Sequence, residues 1–306
     1  MGGDIAQSGL DQHLDAAVVR LEQTFSAHAP HLAPALFDWL RTLAPEARIA
    51  DYFRHEHRFP MLLLPWWVRD ASGLTDDRRF QADVVYSTVA GYLAIRLLDD
   101  TLDGSSSRAS TLLPASVVLQ SEFQHAYTRH FAGDHPFWDL FRRQWYGAAD
   151  FAFDHEGARD FAGRVAHRLG PALIPMAAVA HRAGRPDLLE QWTPCLGKLA
   201  RLEQLLDDIT DWLPDSERGA PNYLLALHAE RARDGEPLVA WIIRDGLAQG
   251  QTLARRWLAE LASGAERLGS AGFAGFLARR GALLQEMRAE TDPGLAELAR
   301  LRGAFG

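Results

Sequence analysis

The chain has 306 residues, 47% hydrophobic and 24% charged, a globular composition that excludes a disordered or fibrous protein. Its 32 basic and 40 acidic residues leave a net charge of −8, which argues against a nucleic-acid binder with its usual basic face. Cys195 is the single cysteine, so intramolecular disulfides and multi-cysteine zinc or iron–sulfur sites are excluded, and a free thiol suits a reducing compartment.

Helical spacing runs through the whole chain. Leu10, Leu14, Ala17, Val18 and Leu21 recur at steps of three and four, as an amphipathic helix requires. The same spacing predicts helices over 76–103, 116–131, 136–153, 159–183, 185–212, 237–261 and 271–290. Alternating strand patterns and Asn-Gly or Asp-Gly hairpins between β-branched runs are absent. Breaks fall at GDHP (133–136), HRAGRP (181–186) and LPDSERGAPN (213–222), and GSSSRAS (104–110) reads as a polar loop. Pro171 and Pro175 interrupt a helical stretch and predict a kink or break there. No linker or solenoid-length repeat divides the chain, so 1–306 reads as one all-α domain of about ten helices or more. The opening MGGDIAQSGLDQHLDAAVV carries acids where a secretory leader needs basic residues. The most apolar run, FPMLLLPWWV, is too short to span a bilayer. The expectation is a soluble cytoplasmic protein without stable membrane insertion.

Two acidic clusters carry the chemistry. Leu-Leu-Asp99-Asp100-Thr-Leu-Asp103 and Leu-Leu-Asp207-Asp208-Ile-Thr-Asp211 share the form LLDDxxD, and each closes a long apolar helix. On a helix, Asp99 and Asp103 lie on one face, as do Asp207 and Asp211. Like charges stacked this way repel, and at a helix C-terminus they also meet the negative end of the dipole. A solvated acidic helix end, or a last Asp capping the next helix, explains one such cluster. Neither explains two copies. Carboxylate oxygens are hard ligands suited to Mg²⁺, which keeps waters and bridges to phosphates. Two such helix ends facing each other would form an acidic rim on which metal ions grip a diphosphate and help its carbon–oxygen bond ionise.

On these motifs the sequence resembles the class I isoprenoid synthases, most closely the trans-polyprenyl diphosphate synthase branch. The likeness covers roughly residues 54–223 and is strongest over 166–212, in HRLGPALIPMAAVAHRAGRPDLLEQW and LGKLARLEQLLDDITDW. It implies an all-α helical bundle with a central active-site cavity. Asp99, Asp100 and Asp103 would be the first metal-binding motif and Asp207, Asp208 and Asp211 the second, with Mg²⁺, three ions once diphosphate is bound. Asp99, Asp103 and Asp207 rank first, also as catalytic residues; Asp100, Asp208 and Asp211 are further ligands or supports. Arg108 stands where the family places the first Arg after DDxxD. His167 or Arg168 falls near the central-helix Lys, and Gln204 at the family's Gln before the second motif. Arg218 lies in the segment that covers the diphosphate. The resemblance thus implies Arg108, Arg168, Gln204 and Arg218 as diphosphate contacts.

The departures matter as much. The family's second Arg is Ala109 here, and its GKRxRP motif is reduced to His55-Glu56-His57-Arg58-Phe59-Pro60. A diphosphate needs several donors, so the isopentenyl half of the site looks lost and the allylic half kept. The expected function is therefore a class I terpene synthase, a cyclase that ionises a linear C15 or C20 prenyl diphosphate with Mg²⁺ and releases diphosphate. A carbocation needs an apolar cavity with aromatic faces. Thr88, Tyr92 and Ile95, on the Asp99 face, are its candidate lining, with Trp138, Trp145, Phe151 and Phe153 as candidate walls. The alternatives are a chain-elongating trans-prenyltransferase, a head-to-head squalene- or phytoene-type synthase, and a non-catalytic ligand-binding protein on the same fold. Substrate length, product and oligomeric state stay open in the sequence; a homodimer is the state the family suggests.

Overall fold

The computed structural model describes residues 2–45, 47–54, 60–74, 77–102, 112–151 and 161–305. The described elements are all helices, with no strand among the described residues. Their packing divides into two compact units, 1–146 with 170–190, and 147–169 with 191–306.

The first unit starts with α1 (Gly2–His28), α2 (Ala33–Leu43), α3 (Ile49–Arg54) and α4 (Leu63–Ser72). It continues with α5 (Arg78–Leu102), α6 (Leu113–Thr128) and most of α7 (Phe137–Phe151). The predicted stripe on α1 is all buried, and Phe25 extends it. α5 packs along α6 and α1. The close approach to α6 depends on Gly91: a Cβ there would meet the Phe123 ring at 2.9 Å. Ser87 Oγ donates to the Phe123 carbonyl at 2.9 Å, which ties the two helices where they touch. A buried polar knot lies one turn before Ser87 on the same face of α5. Asp83 accepts from Arg20 at 2.6 Å and contacts His130 Nε2 at 2.9 Å. A buried carboxylate needs such hydrogen-bond partners to offset its lost hydration. Phe123, Tyr127, Phe131, Phe137, Phe141 and Trp145 fill the core between α6 and α7.

α8 (Phe161–Arg182) runs unbroken through Pro171 and Pro175, where the sequence predicts a kink or break. Each proline costs about 3 kcal/mol in a helix interior. Burial of Ile174, Met176, Ala177, Val179 and Ala180 around them offsets that cost.

The second unit holds most of α9 (Asp187–Thr210), then α10 (Trp212–Arg218) and α11 (Tyr223–Arg231). It ends with α12 (Leu238–Trp241), α13 (Leu247–Leu268) and α14 (Ala271–Phe305). The stretch 213–222, expected as a loop, holds the two-turn α10. The single helix expected over 237–261 is split by a π-helical turn at Ile242–Gly246. Trp241 is fully buried, and a Cβ at Gly246 would meet its ring at 2.6 Å. A glycine lets the indole lie against the backbone, and the wider turn accommodates it. Trp192 and Phe273 pack together at the core of this unit. Cys195 is half-buried and burial pushes its thiol up, as expected of a small apolar filler. No described helix is long and apolar enough to cross a membrane.

Candidate active site

The two aspartate motifs fall in different units, and each is built from its own surroundings. In the first unit, α5 carries Asp99 and Asp100 in its last turn. Asp99 is exposed. Asp100 is 8% exposed and turns inward. Its Oδ2 accepts from Trp39 Nε1 at 3.0 Å, and its Oδ1 pairs with Arg96 Nη2 at 2.9 Å, one turn earlier on α5. Consecutive helical residues point about 100° apart, so one aspartate can face solvent while its neighbour faces the core. Asp103 and Arg108 lie outside the described residues, as do His55 and Ala109.

Of the three cavity candidates, Thr88 is buried and its hydroxyl bonds the Val84 carbonyl of its own helix at 2.8 Å. Tyr92 and Ile95 are half-buried. The Tyr92 hydroxyl bonds that of Tyr52, and its ring meets Phe53 edge-on at 5.3 Å. An aromatic surface two turns before Asp99 thus includes Tyr52 and Phe53 of α3, which the sequence pattern did not single out. Their signal was weak: a six-residue helix carries too little periodicity to assign a face. Trp138 and Trp145 belong to the packed core, Trp145 lying 4.9 Å from the Phe123 ring. Phe151 and Phe153 have no described side chain. A cavity of about 390 Å³ in this unit is lined by Arg69, Asp70, Gly73, Leu74 and Gln81, with no motif aspartate among them.

In the second unit, Asp207 is exposed near the end of α9 and Asp208 is 2% exposed. Asp208 is a hub. Its Oδ1 accepts from Gln204 Nε2 at 2.7 Å and its Oδ2 from the Tyr223 backbone N–H at 2.6 Å. Asn222 closes the knot: its Nδ2 donates to the Asp208 carbonyl and to Asp215 Oδ2, both at 2.9 Å. Its Oδ1 accepts from Leu224 N–H at 2.9 Å and so caps α11. Asp211 lies one turn beyond Asp207, its N–H bonded to the Asp207 carbonyl at 2.8 Å, so the two share a face. Asp211 is exposed and occupies the N-cap position of α10, yet its side chain makes no cap bond. The capping explanation for this motif's last aspartate therefore fails.

The structure also places the diphosphate candidates. Gln204 is buried and its amide is engaged with Asp208. Arg218 is exposed on α10, bonded to Asp215 Oδ1 at 2.9 Å and to the Pro214 carbonyl. Arg168 lies on α8, its side chain outside the described ones, as is that of His167. One feature escaped the sequence pattern altogether. Glu203, one turn before Asp207, forms a two-bond fork with the buried Arg280 of α14. Burial pushes the Glu203 carboxyl up to about 6; Arg280 opposes that rise and Asp207 adds to it.

The donor set can be tested against a hard divalent ion. Each motif shows carboxylate to solvent, Asp99 in one unit and Asp207 with Asp211 in the other. The neighbouring aspartate is fixed inward by N–H donors. Among the described residues no group of three or more Asp, Glu, His or Cys is gathered as a complete metal cage. Mg²⁺ does not ask for one: it takes one or two carboxylates and fills its octahedron with waters and phosphate oxygens. The exposed carboxylates described here fit Mg²⁺ with a phosphate ligand.

No protein-family model and no curated protein matches the chain. Its fold does match solved structures. T. brucei farnesyl pyrophosphate synthase aligns at a TM-score of 0.56 and 15% identity, over 91% of this chain and 99% of that one. A complex of the same enzyme with a small molecule aligns at 0.59 and 14% identity, over 91% and 99%. The chain thus has the all-α fold of these farnesyl pyrophosphate synthase structures.

Proposed function

We propose that the chain is a Mg²⁺-dependent enzyme that processes prenyl diphosphates. The observation that carries this reading is a pair of LLDDxxD helix ends, each with exposed carboxylate beside an inward-pinned aspartate, on the fold of a prenyl diphosphate synthase. When bound, Mg²⁺ supplies charge to a diphosphate leaving group. Asp99 and Asp103 would hold it at the first motif, and Asp207 and Asp211 at the second. Asp100 and Asp208 orient their neighbours through the bonds described above. Arg108 and Arg168 are the arginines expected at the diphosphate. Gln204 already donates to Asp208 and Arg218 to Asp215 and the Pro214 carbonyl, and the Arg218 guanidinium has N–H donors beyond those two bonds.

Two readings of the reaction differ in the second substrate. Likeness to farnesyl pyrophosphate synthase supports chain elongation, in which the allylic cation is captured by isopentenyl diphosphate. Ala109 and the reduced 55–60 segment favour cyclisation of a single C15 or C20 substrate, because donors for the second diphosphate are missing there. The fold comparison backs elongation better. The test is diphosphate release from C10, C15 and C20 prenyl diphosphates, with and without Mg²⁺ and isopentenyl diphosphate. Release with a longer diphosphate formed only when isopentenyl diphosphate is present establishes elongation. Release with a hydrocarbon or alcohol in its absence establishes cyclisation. No Mg²⁺-dependent release in any mixture would leave a ligand-binding protein on a synthase frame.

A further inference from the structure

Arg96 stands on α5 about one turn before the first motif. Successive helical residues turn by about 100°, so Asp99 lies about 60° to one side of Arg96 and Asp100 about 40° to the other. On the helix surface the arginine therefore sits between the exposed carboxylate and the inward one. Its side chain runs toward them, with Nη2 on Asp100 Oδ1 at 2.9 Å. Among the described residues that carboxylate is its one partner. A guanidinium carries five N–H donors in a rigid fork that matches a phosphate, and most of them are unspent here. Nε is sealed from solvent with no hydrogen-bond partner, while the side chain as a whole is 43% exposed. A charged donor left unpaired is costly, and a ligand that draws the guanidinium outward would relieve that cost. The charge also sits in a telling place. A fixed positive charge about one turn from the carboxylates weakens a site built for cations alone. It strengthens a site where the cation arrives with a diphosphate, because the guanidinium meets the anion that the metal bridges to. As an intrahelical ion pair with Asp100 alone, Arg96 would contribute little.

Resting on the metal reading above, we propose that Arg96 is a diphosphate-binding residue of the first motif. It offers its unspent N–H groups to the phosphate oxygens of the substrate beside Asp99. Arg96 lies outside the LLDDxxD letters, and the sequence pattern did not place it among the diphosphate contacts.

The test reads two dissociation constants on the full chain. One is that of inorganic pyrophosphate at saturating Mg²⁺, by calorimetry; the other is that of Mn²⁺ without pyrophosphate, by electron paramagnetic resonance. Ligand-free melting is the folding control. In Arg96→Met the pyrophosphate constant should rise roughly tenfold or more, because charged donors are lost. Its Mn²⁺ constant should equal that of the parent or fall below it, because a repelling charge is gone. A side chain that only braces Asp100 predicts instead that both bindings weaken together. Arg96→Lys keeps the charge without the planar fork and should weaken pyrophosphate by roughly threefold. Parent-like pyrophosphate affinity in a folded Arg96→Met overturns the proposal, and so does equal weakening of both bindings. Should Arg96→Met not fold, Arg96→Lys decides, and parent-like pyrophosphate affinity there overturns it. Should the parent take up Mn²⁺ only with pyrophosphate, the pyrophosphate constant alone decides. A parent chain that binds neither probe overturns the metal reading itself and this proposal with it, and that failure is seen in the parent alone.

Discussion

The two aspartate motifs are nearly the same seven letters, and the fold treats them differently. Each exposes its first aspartate and buries its second. At the first motif the buried Asp100 is neutralised by a charge, Arg96, and by one indole N–H. At the second, Asp208 accepts from neutral donors, the Gln204 amide and a backbone N–H at the start of α11. That helix start carries a partial positive charge of its own. The arginine of the second motif sits one turn back, on Glu203. The first motif is anchored by two side chains from α2 and α5. The second is anchored by a knot that also organises α10 and α11. The lesson is that one chemical pattern can be held by different supports, and that the supports decide how each motif fails.

The largest effect expected from breaking this comparison is on turnover. Asp99→Ala and Asp207→Ala should each lower Mg²⁺-dependent diphosphate release by about a thousandfold or more, while melting stays near that of the parent, since both side chains are exposed. Normal turnover in either folded variant removes that aspartate from the metal set. The buried neighbours should behave the other way, losing stability first. Asp208→Ala strands the Gln204 amide and the Tyr223 N–H in the interior, at about 1–3 kcal/mol for each unpaired group. Asp100→Ala strands one indole N–H and frees a half-exposed Arg96, so its loss should be smaller. Chemical denaturation of the two variants ranks them, and a larger loss at Asp100 contradicts the account of the anchors.

A pH experiment sharpens the same contrast. Glu203 has its folded-state pKa raised from 4.5 to about 6, so the folded state holds the proton more tightly between those values. Its contribution is fully present below about pH 4.5 and is lost as pH rises through about 6, a change of order 2 kcal/mol. Measured at pH 4.5 and 6.5, the parent should lose that much stability relative to Glu203→Gln. Equal pH dependence of the two chains shows that Glu203 titrates normally in the fold. The smallest effect is at Asn222. Asn222→Ala removes the α11 cap and one support of Asp208, and should cost about 1–2 kcal/mol in a urea melt.

The helices were legible in the sequence because their apolar spacing is local. The α1 stripe, the long α5 and the long α9 needed nothing beyond the period of three to four. Short elements were not legible. α10 hides in a proline- and glycine-containing stretch, and α3 is too brief to show a period. The unbroken α8 opposes its two prolines, because packing outweighs propensity there.

The candidate site divides the same way. The sequence by itself determined the two LLDDxxD motifs and their place at helix ends, and it is the source of the metal chemistry proposed for them. It also determined the fold class, since helical spacing is a property of neighbours along the chain. Only the tertiary structure decided which aspartate of each pair faces water, because that depends on where Trp39, Asn222 and Tyr223 arrive from distant segments. Only the tertiary structure joined Glu203 to Arg280, 77 residues apart. Burial and charge pairing at such separations depend on packing in three dimensions, and no period along the chain encodes them.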